Sequence, residues 1–142
     1  VYNVTSQKGD VMKTHKFRMT IPPSVNSIWH RGKNGNFLNP KYRTWIDLNQ
    51  AIVEEQMGKY PPISLCHIHI QVFGGKGLRK GRDISNMEKA IGDLLVRACV
   101  IVDDHYDVLQ KNTQEYMGKA EESGPAYCDV LVHELSEDQR KV

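Results

Sequence analysis

Apolar residues recur along this chain with two different periods, and the switches between them mark out the elements. From Ser64 to Phe73, Cys66, Ile68, Ile70 and Val72 alternate with His67, His69, Gln71 and Phe73. A period of two places one set on each face of a strand, and this is the clearest strand in the chain. Strands are also predicted over His15 to Ile21, Asp107 to Met117 and Tyr127 to Leu135. Pro22-Pro23 stops the first of these, because proline donates nothing to a ladder and fixes its own φ.

Two stretches carry the helical period instead. Asn39-Pro40 reads as a cap followed by proline at the first helical position. Tyr42, Trp45, Ile46, Asn49, Ile52, Val53 and Gln56 then mark one face, with Gly58 and Pro61-Pro62 as the stop. The second helix places Met87, Ala90, Ile91, Leu94, Leu95 and Ala98 on one apolar face. Ser85 and Glu88 have the spacing of a capping box, which predicts a start near Ser85.

The resulting order is strand, helix, strand, helix, strand, strand. It predicts one α/β (α+β) domain over residues 15–135, a four-stranded mixed sheet packed with two helices. Polar tails are expected at 1–14 and 136–142, and Met12-Lys13 is a candidate native start. At 142 residues and 39% hydrophobic content the chain is large enough for an ordinary core. There is no run of eighteen apolar residues and no signal-like segment, so a soluble cytoplasmic protein without a membrane partner is expected. Cys66, Cys99 and Cys128 are far apart and sit in apolar runs, which suits buried free thiols rather than a zinc motif or disulfide framework.

The net charge is only +2, so any surface that binds an anionic partner must be local. One such stretch precedes the second helix. Between Gly74 and Arg82, Lys76, Arg79, Lys80 and Arg82 put four cations within seven residues, on a glycine-rich segment leading into Asp83. No Gly-Lys-Ser/Thr ending follows, so this is no nucleotide-binding phosphate loop. A clamp on a nucleic-acid backbone is favoured over a merely solvated loop. A second basic stretch is read as a loop from Ser24 to Asn39, where Arg31 and Lys33 are interleaved with Trp29 and Phe37, aromatics that either stack on a base or tuck into the core.

Acids complete the inventory. Magnesium takes carboxylate oxygens and keeps several waters, so one or two acids from different elements can anchor it on a phosphate. Asp83 before the second helix and Asp104 after the following apolar run are the natural pair. Lys89, Asp93 and Arg97 follow at steps of four, which alone would be a ladder of weak surface ion pairs. His67 and His69 share a strand face, but no third ligand follows at a suitable distance for a transition metal.

The run Arg82-Asp83-Ile84-Ser85-Asn86-Met87-Glu88-Lys89, followed by Asp103-Asp104, resembles the RusA-type Holliday junction resolvases common in phages and prophages. That family's pattern is a basic run, Asp-x-Asp-Asn-x-x-Lys at a helix start, then Asp-Asp about fifteen residues on. Ile21-Pro22-Pro23-Ser24-Val25-Asn26 resembles the segment that ends the family's first strand. The resemblance runs from about Phe17 to Leu135. It implies a RusA-like fold, Mg2+ held by Asp83 and Asp104, and an essential lysine at Lys89. It also implies a homodimer acting on four-way junctions in DNA recombination and repair. Ser85 departs from the pattern, standing where the family has a metal-binding Asp. Either another acid such as Glu88 serves, or the site has been altered, or the protein binds junctions without cutting.

The leading expectation is therefore a magnesium-dependent endodeoxyribonuclease that resolves Holliday junctions, with Lys76, Arg79, Lys80, Arg82, Arg31 and Lys33 on the DNA. The alternative is a junction-binding protein with impaired or no nuclease activity. A third reading is an RNA- or single-strand-binding module built on the Trp29 segment.

Overall fold

The computed structural model describes residues 13–24, 29–120 and 124–142. Its elements, in order, are β1 (Lys13–Thr20), β2 (Trp29–Gly32), β3 (Gly35–Leu38), α1 (Pro40–Met57), β4 (Cys66–Gly74), α2 (Glu88–Arg97), β5 (Leu109–Lys119) and β6 (Tyr127–Glu134). Four strands form one mixed sheet in the order β1-β6-β4-β5, in which only β4 and β5 run parallel. The predicted α/β class and the four-stranded mixed sheet with two helices are thus what the chain forms.

The alternation in β4 decides which face is covered. Ile68, Ile70 and Val72 are buried, as are Val130 and Val132 opposite them on β6 and Phe17 and Met19 on β1. Both helices deliver their apolar stripes to this core. All six residues assigned to the α2 face are buried, as are Tyr42, Trp45, Ile46, Asn49 and Val53 of α1. Each large apolar side chain so placed contributes about 1.5–3 kcal/mol of burial. Ile52 and Gln56 lie outside the buried face of α1, and Met57 takes the last contact instead.

The β4-α2-β5 segment is a parallel crossover. Such a connection needs a long return path, which here is the basic stretch followed by α2. It sets the basic stretch at the carboxyl end of a parallel strand pair, where ligand crevices of open α/β sheets form.

Four expectations need correction. Lys13 and Thr14 are not tail but the start of β1, in register with Glu134 and His133. Residues 29–38 are not loop but an antiparallel hairpin closed at Gly32↔Gly35, where Gly35 takes φ +108°. The capping box at Ser85 does not form. Asp83 caps a 3-10 turn, Ile84–Asn86, and α2 begins at Glu88 with Met87 as its cap. Cys99 is exposed, because the chain reverses there with φ +58°, whereas Cys66 and Cys128 are buried as expected. The C-terminal stretch, expected as a polar tail, bonds back to the domain: Arg140 pairs with Glu137 and Asp107, and Lys141 exchanges hydrogen bonds with Gln110. Val1 to Met12, Val25 and Asn26 lie outside the described residues, and with them most of the expected N-terminal tail, Met12 of the candidate start and the end of the Ile21 to Asn26 match.

Candidate nucleic-acid interface and metal site

The basic stretch is shaped by its glycines. β4 ends at Gly74, whose carbonyl accepts from Ala120 N–H, and Lys76 N–H donates to the Gly124 carbonyl while its own carbonyl accepts from Ala126. These bonds fasten the root of the stretch to the segments flanking β6 and β5. An added Cβ on Gly75 would stand 2.5 Å from the Gly124 carbonyl oxygen, so only glycine permits this approach. Two turns follow, closed by Leu78 N–H to Gly75 O and Arg82 N–H to Arg79 O, with Gly77 and Gly81 at positive φ.

The folded stretch walls a cavity of about 1100 Å³ whose lining includes Lys76, Arg79, Lys80 and Arg82. The four cations read as a clamp therefore face one concavity. Two residues that sequence reasoning passed over join them, Tyr116 and Lys119 of β5. Neither carries a local signal. Tyr116 reaches the cavity only because β5 pairs in parallel with β4 and sets Tyr116 opposite Val72. Arg31 and Lys33 are exposed on the β2–β3 hairpin and do not line this cavity.

Arg82 is the unusual member. Its Nε and Nη2 are buried and, among the described residues, without a hydrogen-bond partner. Burial first, and the neighbouring Arg79 second, push its pKa below the ordinary guanidinium value. A buried cationic donor without a partner is costly, and an incoming anion would relieve it.

Asp83 follows directly and is exposed. Its Oδ1 accepts from the Ser85 backbone N–H at 2.9 Å and from the Ser85 hydroxyl at 2.7 Å. These two bonds, the hydroxyl's being the stronger influence, hold the carboxyl below its ordinary pKa. Ser85 therefore acts on Asp83 as a donor, where an aspartate would have added a second negative charge.

Asp104 lies against the second turn of α2. A Cβ on Gly92 would sit 3.7 Å from Asp104 Oδ2, and Gly92 is one turn, about 6 Å of helix axis, beyond Glu88. Asp103 is turned elsewhere: its Oδ1 accepts from the Asp104 N–H and its Oδ2 is 3.7 Å from His105 Nε2. Among the described residues, no hydrogen bond or ion pair engages the Asp104 carboxylate. Glu88 is held from β5, accepting from Gln114 Nε2 at 3.2 Å, so it has no capping duty at Ser85. Lys89 is exposed and stands 3.3 Å from Asp93, the ion-pair ladder that its spacing allowed.

The donor set suits a hard cation in kind, since Asp83 and Asp104 offer carboxylate oxygens and magnesium commonly takes one or two of these plus phosphate and water. Among the described residues, no group of three or more His, Cys, Asp or Glu side chains converges as a ready-made metal cage. The His67–His69 face forms none either, for His69 Nε2 is bonded to Glu115 Oε1 at 3.0 Å. Trp29 and Phe37 are 60% and 47% exposed, so the hairpin aromatics do not tuck into the core.

The chain matches no family model and no curated protein sequence. No helix among the described residues is long and apolar enough to cross a membrane.

Proposed function

We propose that this protein is a magnesium-dependent endonuclease acting on branched DNA, with four-way junctions as its substrate class. The observation that supports this most is the continuity of the basic cavity with the candidate acid. Arg82 and Ile84 both line the cavity, and Asp83 is the residue between them. A phosphate drawn in by the cations then lies one residue along the backbone from an exposed carboxylate, although Asp83 itself is not part of the cavity lining.

In this reading Asp83 and Asp104 hold the ion, which when bound supplies Lewis-acid polarisation of the phosphate and a water of lowered pKa. The remaining work falls to the chain itself. Lys76, Arg79 and Lys80 fix the backbone, and Ser85 keeps Asp83 ionised and oriented. Lys89, released from Asp93, offsets the negative charge that accumulates on the phosphoryl oxygens. Two copies, one per opposed strand, match the two-fold symmetry of a junction.

A second reading, a junction-binding protein that does not cut, is favoured by one observation. Ser85 occupies Asp83 Oδ1 with two hydrogen bonds and adds no carboxylate of its own. Incubating the protein and its Ser85→Asp variant with a labelled four-way junction, with and without magnesium, separates the two. Paired symmetric nicks from the unmodified protein are expected. Tight binding with cutting only after Ser85→Asp would leave the unmodified protein as a binder, and binding without cutting by either would refute the nuclease.

A further inference from the structure

The cavity holds more than a clamp on the outside of a duplex requires. Phosphates on a duplex need only cations within reach, whereas these cations share a concavity with apolar and aromatic side chains. Its volume of about 1100 Å³ slightly exceeds the roughly 300–1,000 Å³ typical of ligand pockets. Its wall is also mixed in character. Leu78 and Ile84 are packed against the hydrophobic core and show the cavity an apolar edge. Tyr116 projects from β5 with 52% of its surface exposed.

The tyrosine is positioned rather than free. A Cβ on Gly74 would lie 2.6 Å from its hydroxyl oxygen, so the ring rests directly on the end of β4 and depends on the missing side chain there. Arg82 lines the same cavity, with two guanidinium nitrogens buried and, among the described residues, unpartnered. An aromatic platform, an apolar wall and an unsatisfied guanidinium together are what an unstacked nucleotide needs. Bases stack on aromatic rings with little regard to sequence, and phosphates pair with guanidinium.

We propose that this cavity receives a single unpaired nucleotide of the DNA, its phosphate on Arg82 and its base against the ring of Tyr116. The inference rests on the DNA reading above and names the feature of the substrate that is recognised. Branched DNA that carries an unpaired nucleotide supplies it at low cost, because an unpaired base needs little further unstacking, whereas a nucleotide inside a duplex must first be extruded. Lys76, Lys80 and Lys119 hold the flanking backbone.

The test uses the intact protein and DNA carrying 2-aminopurine, in a fully paired duplex and in the same duplex with the reporter in a one-nucleotide bulge. Binding is measured without magnesium, and cutting of a four-way junction separately with it. Tighter binding of the bulged DNA is expected, with a change in reporter fluorescence that the paired DNA does not give. Tyr116→Ala should abolish the change and weaken bulge binding by about fivefold or more, so that the preference for bulged over paired DNA is lost. Tyr116→Phe keeps the ring and should behave as the unmodified protein. Gly74→Ala displaces the ring without removing it and should reduce the fluorescence change. Circular dichroism of each variant checks folding, and Gly74→Ala keeps the test decisive if the Tyr116→Ala variant unfolds, an unaltered fluorescence change in it then overturning the assignment.

Equal affinity for bulged and paired DNA, or an unaltered fluorescence change in Tyr116→Ala, would overturn the assignment. Preference for free thymidine 5′-monophosphate over the bulge would also overturn it, since the cavity would then serve a soluble nucleotide. Junction cutting without a bulge preference would remove the cavity and keep the nuclease. Bulge preference without cutting would do the reverse.

Discussion

Replacing Lys76, Arg79 and Lys80 together by alanine tests whether the cavity cations bind phosphate. The structure sets the magnitude. Lys76, Arg79, Lys80, Arg82 and Lys119 line one cavity, and among the described residues none of the five has a carboxylate within ion-pairing distance. Each phosphate neutralised on a duplex contributes about −0.9 to the slope of log K against log salt, so full engagement gives a slope of about −4.5. A fourfold rise in salt then weakens binding by about 500-fold. With three cations removed the slope becomes about −1.8, and the same rise costs only about 12-fold. Fluorescence anisotropy of a labelled four-way junction, titrated at several salt concentrations, gives both slopes. Exposed loop side chains carry little of the core, so the variant should retain its melting temperature. An unchanged slope in the triple variant would refute the phosphate assignment, whatever happened to the affinity at one salt concentration.

Two further expectations concern the scaffold. Gly92→Ala should raise stability by up to about 1 kcal/mol, because alanine is the better helix former and its methyl group would meet Asp104 Oδ2 at 3.7 Å, ordinary contact; a lowered midpoint in urea unfolding would count against this packing. The burial of His15, His67 and His133 pushes each imidazole pKa below the ordinary 6.5. The unfolded chain therefore takes up these protons at higher pH than the fold does. Their neutral forms are fully accommodated above 6.5, and stability falls as pH drops below it. Urea midpoints should thus decrease from about pH 7.5 to about pH 5.5, less steeply in His67→Gln and His133→Gln, and a constant or rising midpoint would contradict the sign.

What the sequence determined by itself is whatever depends on neighbours a few residues away. The period of two in β4 and the stripe of α2 named their buried faces residue by residue, because burial on one face imposes the element's own repeat. Asn39-Pro40 announced α1 through a side chain that accepts the Lys41 N–H. The concentration of cations between Lys76 and Arg82, and their adjacency to Asp83, needed no fold to be seen. The β2–β3 hairpin was written just as locally, in a two-residue turn between glycines, but its short polar strands lack the alternation that marks a buried face.

At Ser85 two local rules competed. The capping-box spacing favoured the Ser hydroxyl as a cap, yet the Asp83 carboxylate is the stronger acceptor and takes both the N–H and the hydroxyl of Ser85. Only the tertiary structure decided the rest of the site. Tyr116 and Lys119 join the basic cavity because two strands separated by an entire helix pair in parallel. Asp104 lies along α2, its Oδ2 3.7 Å from where a Cβ on Gly92 would stand, because the chain after α2 folds back onto that helix. Both are contacts between residues distant in sequence, selected by the packing of the whole core, and no local period encodes them.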